Sequence, residues 1–373
     1  MEEYSDREQS QIKHFALGRY LETASKIIGS YKQFAYIDCC AGPWESRSKD
    51  FRDTSFGIAV DVMKKSQDWL RERRKDPKFR ALLIEQDRSA FAMLEGFARE
   101  ATTERMQIQA RNWDFRDHAA EIIQYISIPP SFAFFFVDPT GWTPAEISKL
   151  MPFLKVRPCE VLINFMSSFV VRFLNDERTD LEEILGSDYR TLRQLPHEEQ
   201  EDEAVRRYCD LVKRKGDFKY VCALPVMRRD QDAIHFFLIY GTRHEKGVEV
   251  FKQVERRTEE QTQVVRAQRQ QRERPNLDLF SPDVLYSRER RYRRLADRCK
   301  RDAIAAVELL LSKRQEVSYD EVWAEALQHS AVYESDLRDW LKQKESQGLI
   351  RVIGRKRPGE ALKRDSKHLL RRS

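Results

Sequence analysis

Three short apolar runs in this chain each end in a carboxylate, and that recurrence is the clearest sign of chemistry in the sequence. Phe34-Ala-Tyr-Ile-Asp38 leads straight into Cys39-Cys40-Ala41-Gly42-Pro43. Arg80-Ala-Leu-Leu-Ile ends at Glu85, and Phe132-Ala-Phe-Phe-Phe-Val ends at Asp138, which Pro139-Thr140-Gly141-Trp142 follow. A buried strand has no use for a charge in its interior, so these acids belong just past strand ends, where open parallel sheets bind their ligands. Small residues at Ala41 and Gly42 let the backbone approach such a ligand closely. The competing reading of each acid is a helix cap or a turn.

The elements that must position these residues alternate. An amphipathic helix is expected over 11–28, with Ile12, Phe15, Tyr20, Leu21, Ala24 and Ile27 near helical spacing, packed at the sheet edge. Thr54 is placed to cap a helix after the first strand, and a helix over about 87–100 follows the second. A third strand over Met106 to Gln109 ends before Asn112 and Asp114, and a fifth over Glu160 to Phe165 follows a helix starting near Pro144. Such alternation argues for a parallel sheet with right-handed crossovers. Phe218 to Met227 and Ala233 to Thr242 break it, because the polar stretch between them is too short for a crossover and suits an antiparallel hairpin.

Four segments are expected: an amino-terminal helix over 1–33, an α/β domain over 34–256, a polar linker over 257–296, and a second domain over 297–373. The last has three short helices followed by a strand, Gly348-Leu-Ile-Arg-Val-Ile353, entering a basic hairpin, and so resembles a winged-helix module. Net charge is only +6, but from Arg351 onward nine Lys or Arg stand against two acids. Arg351, Arg355, Lys356 and Arg357 therefore form a candidate nucleic-acid contact, DNA or RNA, with a solvated tail as the alternative. Six scattered cysteines build neither a disulfide framework nor a zinc pair, and no metal site is expected. The absence of a long apolar run and of a signal-peptide core leads to the expectation of a cytoplasmic protein without a membrane anchor.

Five parallel strands closed by an antiparallel hairpin resemble the sheet of class I S-adenosylmethionine (SAM) dependent methyltransferases. That resemblance implies SAM as cofactor, with Asp38, Ala41 and Gly42 at its methionine part and Glu85 at the ribose, where a carboxylate can take two hydroxyl donors at once. Asn112 or Asp114 would meet the adenine amino group. Asp138, Pro139 and Trp142 would face the acceptor, resembling the Asp-Pro-Pro-aromatic motif of amino-group methyltransferases with Thr140 in place of the second proline. Asp138 is accordingly expected to matter for activity and not for folding. Carbon-5 cytosine chemistry is disfavoured, since no cysteine stands near this motif.

Taken together, Lys13-His14, Tyr36-Ile-Asp-Cys-Cys-Ala-Gly-Pro43, Phe136-Val-Asp-Pro-Thr-Gly-Trp142, Val161-Leu-Ile-Asn-Phe-Met166 and Phe218-Lys-Tyr-Val221 resemble the three-Cys-motif partner (TcmP) family of prokaryotic and phage-associated proteins. The resemblance runs over about residues 10–350. It implies a partner, a radical-SAM-like protein carrying three cysteines. Two functions stay open: a methyltransferase-like enzyme acting on nucleic acid, or a non-catalytic adaptor that serves this partner and whose cofactor crevice Trp44 fills.

Overall fold

Near-continuous apolar strands require cover on both faces, and the chain supplies it with two helical layers. The structure is a computed structural model describing residues 4, 7–42, 46–139, 147–176, 179–228, 231–273, 290–357 and 360–372. Its central sheet has seven strands in the order β3-β2-β1-β4-β5-β7-β6. Strands β1 (Phe34–Asp38), β2 (Phe79–Ile84), β3 (Met106–Arg111), β4 (Phe132–Val137) and β5 (Cys159–Phe165) run parallel. β7 (Ile234–Thr242) runs antiparallel to both β5 and β6 (Tyr220–Met227), so the expected hairpin is present with its second strand inserted next to β5. The protein is thus a mixed α/β fold built on a mostly parallel sheet.

Strand periodicity divides the core into two halves. Phe34, Tyr36, Ala81, Leu83, Phe134 and Phe136 point to one face, together with α1 (Glu8–Gly29), α2 (Ser55–Arg71), α3 (Arg88–Ala101) and the start of α9 (Glu245–Glu273). Ala35, Ile37, Leu82, Ile84, Phe135 and Val137 point to the other. There they meet α4 (Ala119–Ser127), α5 (Ile147–Leu154), α6 (Ser167–Arg172), α7 (Thr179–Leu185) and α8 (His197–Gly216). β1, β2 and β5 are buried along their length and show no polar alternation, whereas β3 at the sheet edge alternates, with Met106, Ile108 and Ala110 buried and Gln107 exposed.

Helix α1 lies across the sheet face and not at its edge. Tyr20 stacks on Phe134 at 4.8 Å and the helix packs between α2 and α9. Burial of Ile12, Leu17, Leu21 and Ile28 explains the placement, since they cover the Tyr36 and Phe134 face of β1 and β4 together with α2. At the start of α2, Thr54 caps the helix by accepting from Gly57 N at 3.1 Å. A Cβ on Gly57 would come 2.0 Å from the Phe51 carbonyl oxygen, so only glycine lets the preceding loop press this closely on the first turn.

The stretch read as a polar linker from 257 is helical to Glu273 in α9, and α10 (Arg290–Lys313) begins inside the expected linker. Arg291 is buried there with 1% exposure, its guanidinium donating to Glu201 at 2.9 Å and to Asp202 at 2.5 Å. Arginine in a polar run looks like a solvated residue, but two acids of α8 hold this one inside the protein. The carboxyl-terminal part continues with β8 (Val317–Ser318), α11 (Tyr319–Leu327), α12 (Glu334–Ser346), β9 (Ile350–Ile353) and β10 (Leu369–Arg372), and these strands form a sheet in the order β8-β10-β9. It docks on the α/β part through Ser330 Oγ to the Ala223 carbonyl at 2.5 Å, Ala331 N to Glu255 at 2.7 Å and Lys252 Nζ to the His329 carbonyl at 3.0 Å. No helix among the described residues is long and apolar enough to cross a membrane.

Candidate active site

The strand order reverses between β1 and β4, and at such a switch point the loops diverge and leave a crevice at the carboxyl ends. A cleft of about 470 Å³, counted out to open solvent, lies there. Cys39, Cys40, Glu85, Asp114, Asp138 and Pro139 line it, with Trp113 and Phe115 as aromatic wall. Residues that follow four different strands therefore converge on one space, as their positions past strand ends suggested.

Not all of the expected site residues face that space. Asp38 is fully buried and accepts from Tyr36 Oη at 2.7 Å, Ser55 Oγ at 2.7 Å and Cys40 N at 3.2 Å. Burial pushes its carboxyl up to about 6, against the pull of those three donors. Its work is to fix the turn after β1 and the first residue of α2, and it is not presented to the cleft. Ala41 is buried as well, its N–H donating to the Ile84 carbonyl at 2.8 Å, while Gly42 is half-buried beside it.

Glu85 is 4% exposed and lines the cleft, with Oε1 accepting from Asp87 N at 2.7 Å. Asn112 is not among the residues lining the cleft; its amide nitrogen donates to the carbonyls of Glu85 and Gln86 at 2.9 and 3.0 Å and so ties β3 to the turn after β2. Asp114 lines the cleft but is clasped by Arg116, whose Nε donates to it at 2.8 and 3.0 Å. That guanidinium holds the Asp114 carboxyl below the usual carboxylate range. Trp113 stacks flat on His118 at 4.7 Å, giving the wall a fixed aromatic face.

Asp138 carries the most organised contacts. Lys13 of α1 pairs with its Oδ2 at 2.5 Å and Asn164 Nδ2 donates to its Oδ1 at 2.7 Å. Neither Lys13 nor Asn164 was singled out for a role in the sequence, and only their presence in the Lys13-His14 and Val161 to Met166 motifs flagged them. Next to Lys13, His14 is buried against Tyr4 Oη at 3.0 Å, and burial, then the Lys13 charge, pull its imidazole down to about 3. Burial pushes the Cys39 and Cys40 thiols well up, so neither is poised as a nucleophile. Pro139 lines the cleft beside Asp138, while Trp142, with Pro43, Trp44 and Thr140, lies outside the described residues.

No family profile and no curated protein matches this chain. Among solved structures it is similar to a loganic acid methyltransferase with SAH, at 12% identity and a TM-score of 0.31, over 71% of this chain and 87% of that one. A likeness that distant decides nothing about the site, whose reading rests on its own residues.

The basic residues of the carboxyl-terminal sheet lie far along the chain from this cleft. Arg351, Lys356 and Arg357 are exposed, whereas Arg355 is drawn into an ion pair with Glu345 at 2.5 Å. Arg351 sits directly opposite Arg371 in the β9–β10 ladder, with Arg372 following. Directly opposed residues share a face, so Arg351 and Arg371 stand side by side, with Arg371 also paired to Glu316, a juxtaposition the sequence did not reveal. Among the described residues no group of three or more His, Cys, Asp or Glu comes together to hold a metal.

Proposed function

We propose that this chain is a SAM-dependent methyltransferase-like enzyme of the three-Cys-motif partner kind, acting on nucleic acid brought to it by a winged-helix-like carboxyl-terminal module. The observation that supports this most is the convergence of Glu85, Asp114, Asp138 and Pro139 on one cleft at the switch point of a sheet with five parallel strands and an antiparallel β7. The residues fit an adenosine-bearing cofactor in chemical kind. Glu85 would take the ribose hydroxyls, and Trp113 and Phe115 would flank a flat base. SAM, when bound, supplies an already activated methyl group, so the protein's task is chiefly placement. Asp38 serves that task indirectly by locking the Cys39-Cys40 turn, and Asp138 stands on the acceptor side with Lys13 and Asn164 holding its orientation.

The adaptor reading, service to a three-cysteine radical-SAM-like protein, has one observation in its favour: Asn112 and Asp114 both spend their polar groups inside the chain. Calorimetric titration of the full chain with S-adenosylhomocysteine (SAH) separates the two. Native protein should bind it, and Glu85→Ala should weaken binding by about 1.5–3 kcal/mol, the worth of hydrogen bonds to a charged group. Absence of binding by native protein refutes the cofactor reading and leaves the adaptor.

A further inference from the structure

We infer that Lys13 sets the class of acceptor at this site: it cancels the charge of Asp138, so the site takes an uncharged N–H donor such as a nucleobase amino group and turns away a protonated aliphatic amine. The inference rests on the methyltransferase reading and narrows it.

A bare carboxylate beside the transferring position would draw in an ammonium group. Asp138 is not bare. Lys13 Nζ stands 2.5 Å from Oδ2, and the two side chains are only 13% and 16% exposed, so solvent screens the pair weakly. Oδ1 is taken as well, by Asn164 Nδ2 at 2.7 Å. That bond settles which end of the Asn164 amide carries oxygen, because only the nitrogen end can donate to a carboxylate.

The amide's other end is then an acceptor. Asn164 is 4% exposed, and its Oδ1 is buried with no hydrogen-bond partner. A buried acceptor left unmet is costly, and a neutral substrate N–H would satisfy it. His235 Nδ1 is a second buried atom without a partner, on the strand that pairs with β5. His14, behind Lys13, stays uncharged and adds nothing to the balance. The acceptor side thus offers hydrogen-bonding capacity with its charge already matched.

Sinefungin, which carries an amine in place of the transferable methyl of SAM, reads the charge at this position without an acceptor substrate. Full-length native protein should bind sinefungin and SAH within about threefold of each other. Lys13→Met should shift the preference toward sinefungin by roughly tenfold or more, the worth of one charge-assisted hydrogen bond. Lys13→Gln, which keeps a donor to Asp138, should do the same if the methionine variant does not fold, and adding Asp138→Asn to either should abolish the shift. Variants that keep the native ratio while still binding SAH overturn the inference alone. A native protein that already prefers sinefungin tenfold also overturns it. Native protein that binds neither ligand overturns the cofactor reading, and this inference with it.

Discussion

Replacing Arg291 should destabilise the whole chain far more than its place in a polar run suggests. Its guanidinium contacts Glu201 at 2.9 Å and Asp202 at 2.5 Å, and those acids are 8% and 6% exposed. Arg291→Met would leave two buried carboxylates close together. Each keeps one other partner: Ser167 Oγ to Glu201 at 2.8 Å, and Arg298 to Asp202 at 3.1 Å. Breaking a buried pair by removing one member costs about 3–5 kcal/mol, and the surviving partners set the expectation near 3. Urea unfolding followed by far-ultraviolet circular dichroism and by tryptophan fluorescence measures it. Arg291→Met combined with Glu201→Gln and Asp202→Asn should recover most of the loss. A loss below about 1 kcal/mol for the single variant would refute the view that this cluster clamps α10 to the α/β part.

Three further expectations follow from the site and its surroundings. His14, lowered from 6.5 to about 3, contributes stability that is present above pH 6.5 and lost as pH falls toward 3, at up to roughly 1.4 kcal/mol per pH unit; Asp38, raised from 3.8 to about 6, works the opposite way, gaining stability as pH falls from 6 toward 3.8. His14→Gln should therefore flatten the acid limb of a denaturation profile and Asp38→Asn should steepen it, and profiles parallel to native would refute both assignments. Asp138→Asn should cost about 1–3 kcal/mol because it strips Lys13 of its charged partner, against the expectation from sequence that this residue is dispensable for folding; an unchanged melting profile would uphold that expectation. Finally, salt-dependent binding of a short DNA duplex by the full chain, followed by anisotropy, should lose about one to two units of log–log slope when Arg351 and Arg371 are changed to Ala, and an unaltered slope would exclude this face as the contact.

Much of the sheet was legible because strands buried on both faces write continuous apolar runs, and Phe132 to Val137 could hardly be anything else. What the sequence could not convey was direction. Asp38 and Glu85 both follow apolar strands, yet one turns inward onto Tyr36 and Ser55 while the other lines the cleft, because the outcome depends on what packs behind the turn. Lys13 was similarly hidden. It lies 125 residues from Asp138, and only the path of α1 over β4 brings them together. Arg291 was misplaced for the same reason, since nothing local distinguishes a solvated arginine from one that finds two acids some 90 residues earlier.

The sheet ends at β6, and an outermost strand is where protein chains stick to one another. This strand is eight residues long and thoroughly apolar, Tyr220-Val-Cys-Ala-Leu-Pro-Val-Met227, which makes it an unusually adhesive border. Pro225 withholds an N–H from any incoming strand, and Ser330 occupies the Ala223 carbonyl. The carboxyl-terminal part therefore acts as a guard for this border as well as a candidate reader of nucleic acid. Protein cut after α9 would bare β6 and precipitate or pair edge to edge, so poor recovery of such a fragment would report the exposed strand and not a failure of the α/β part to fold.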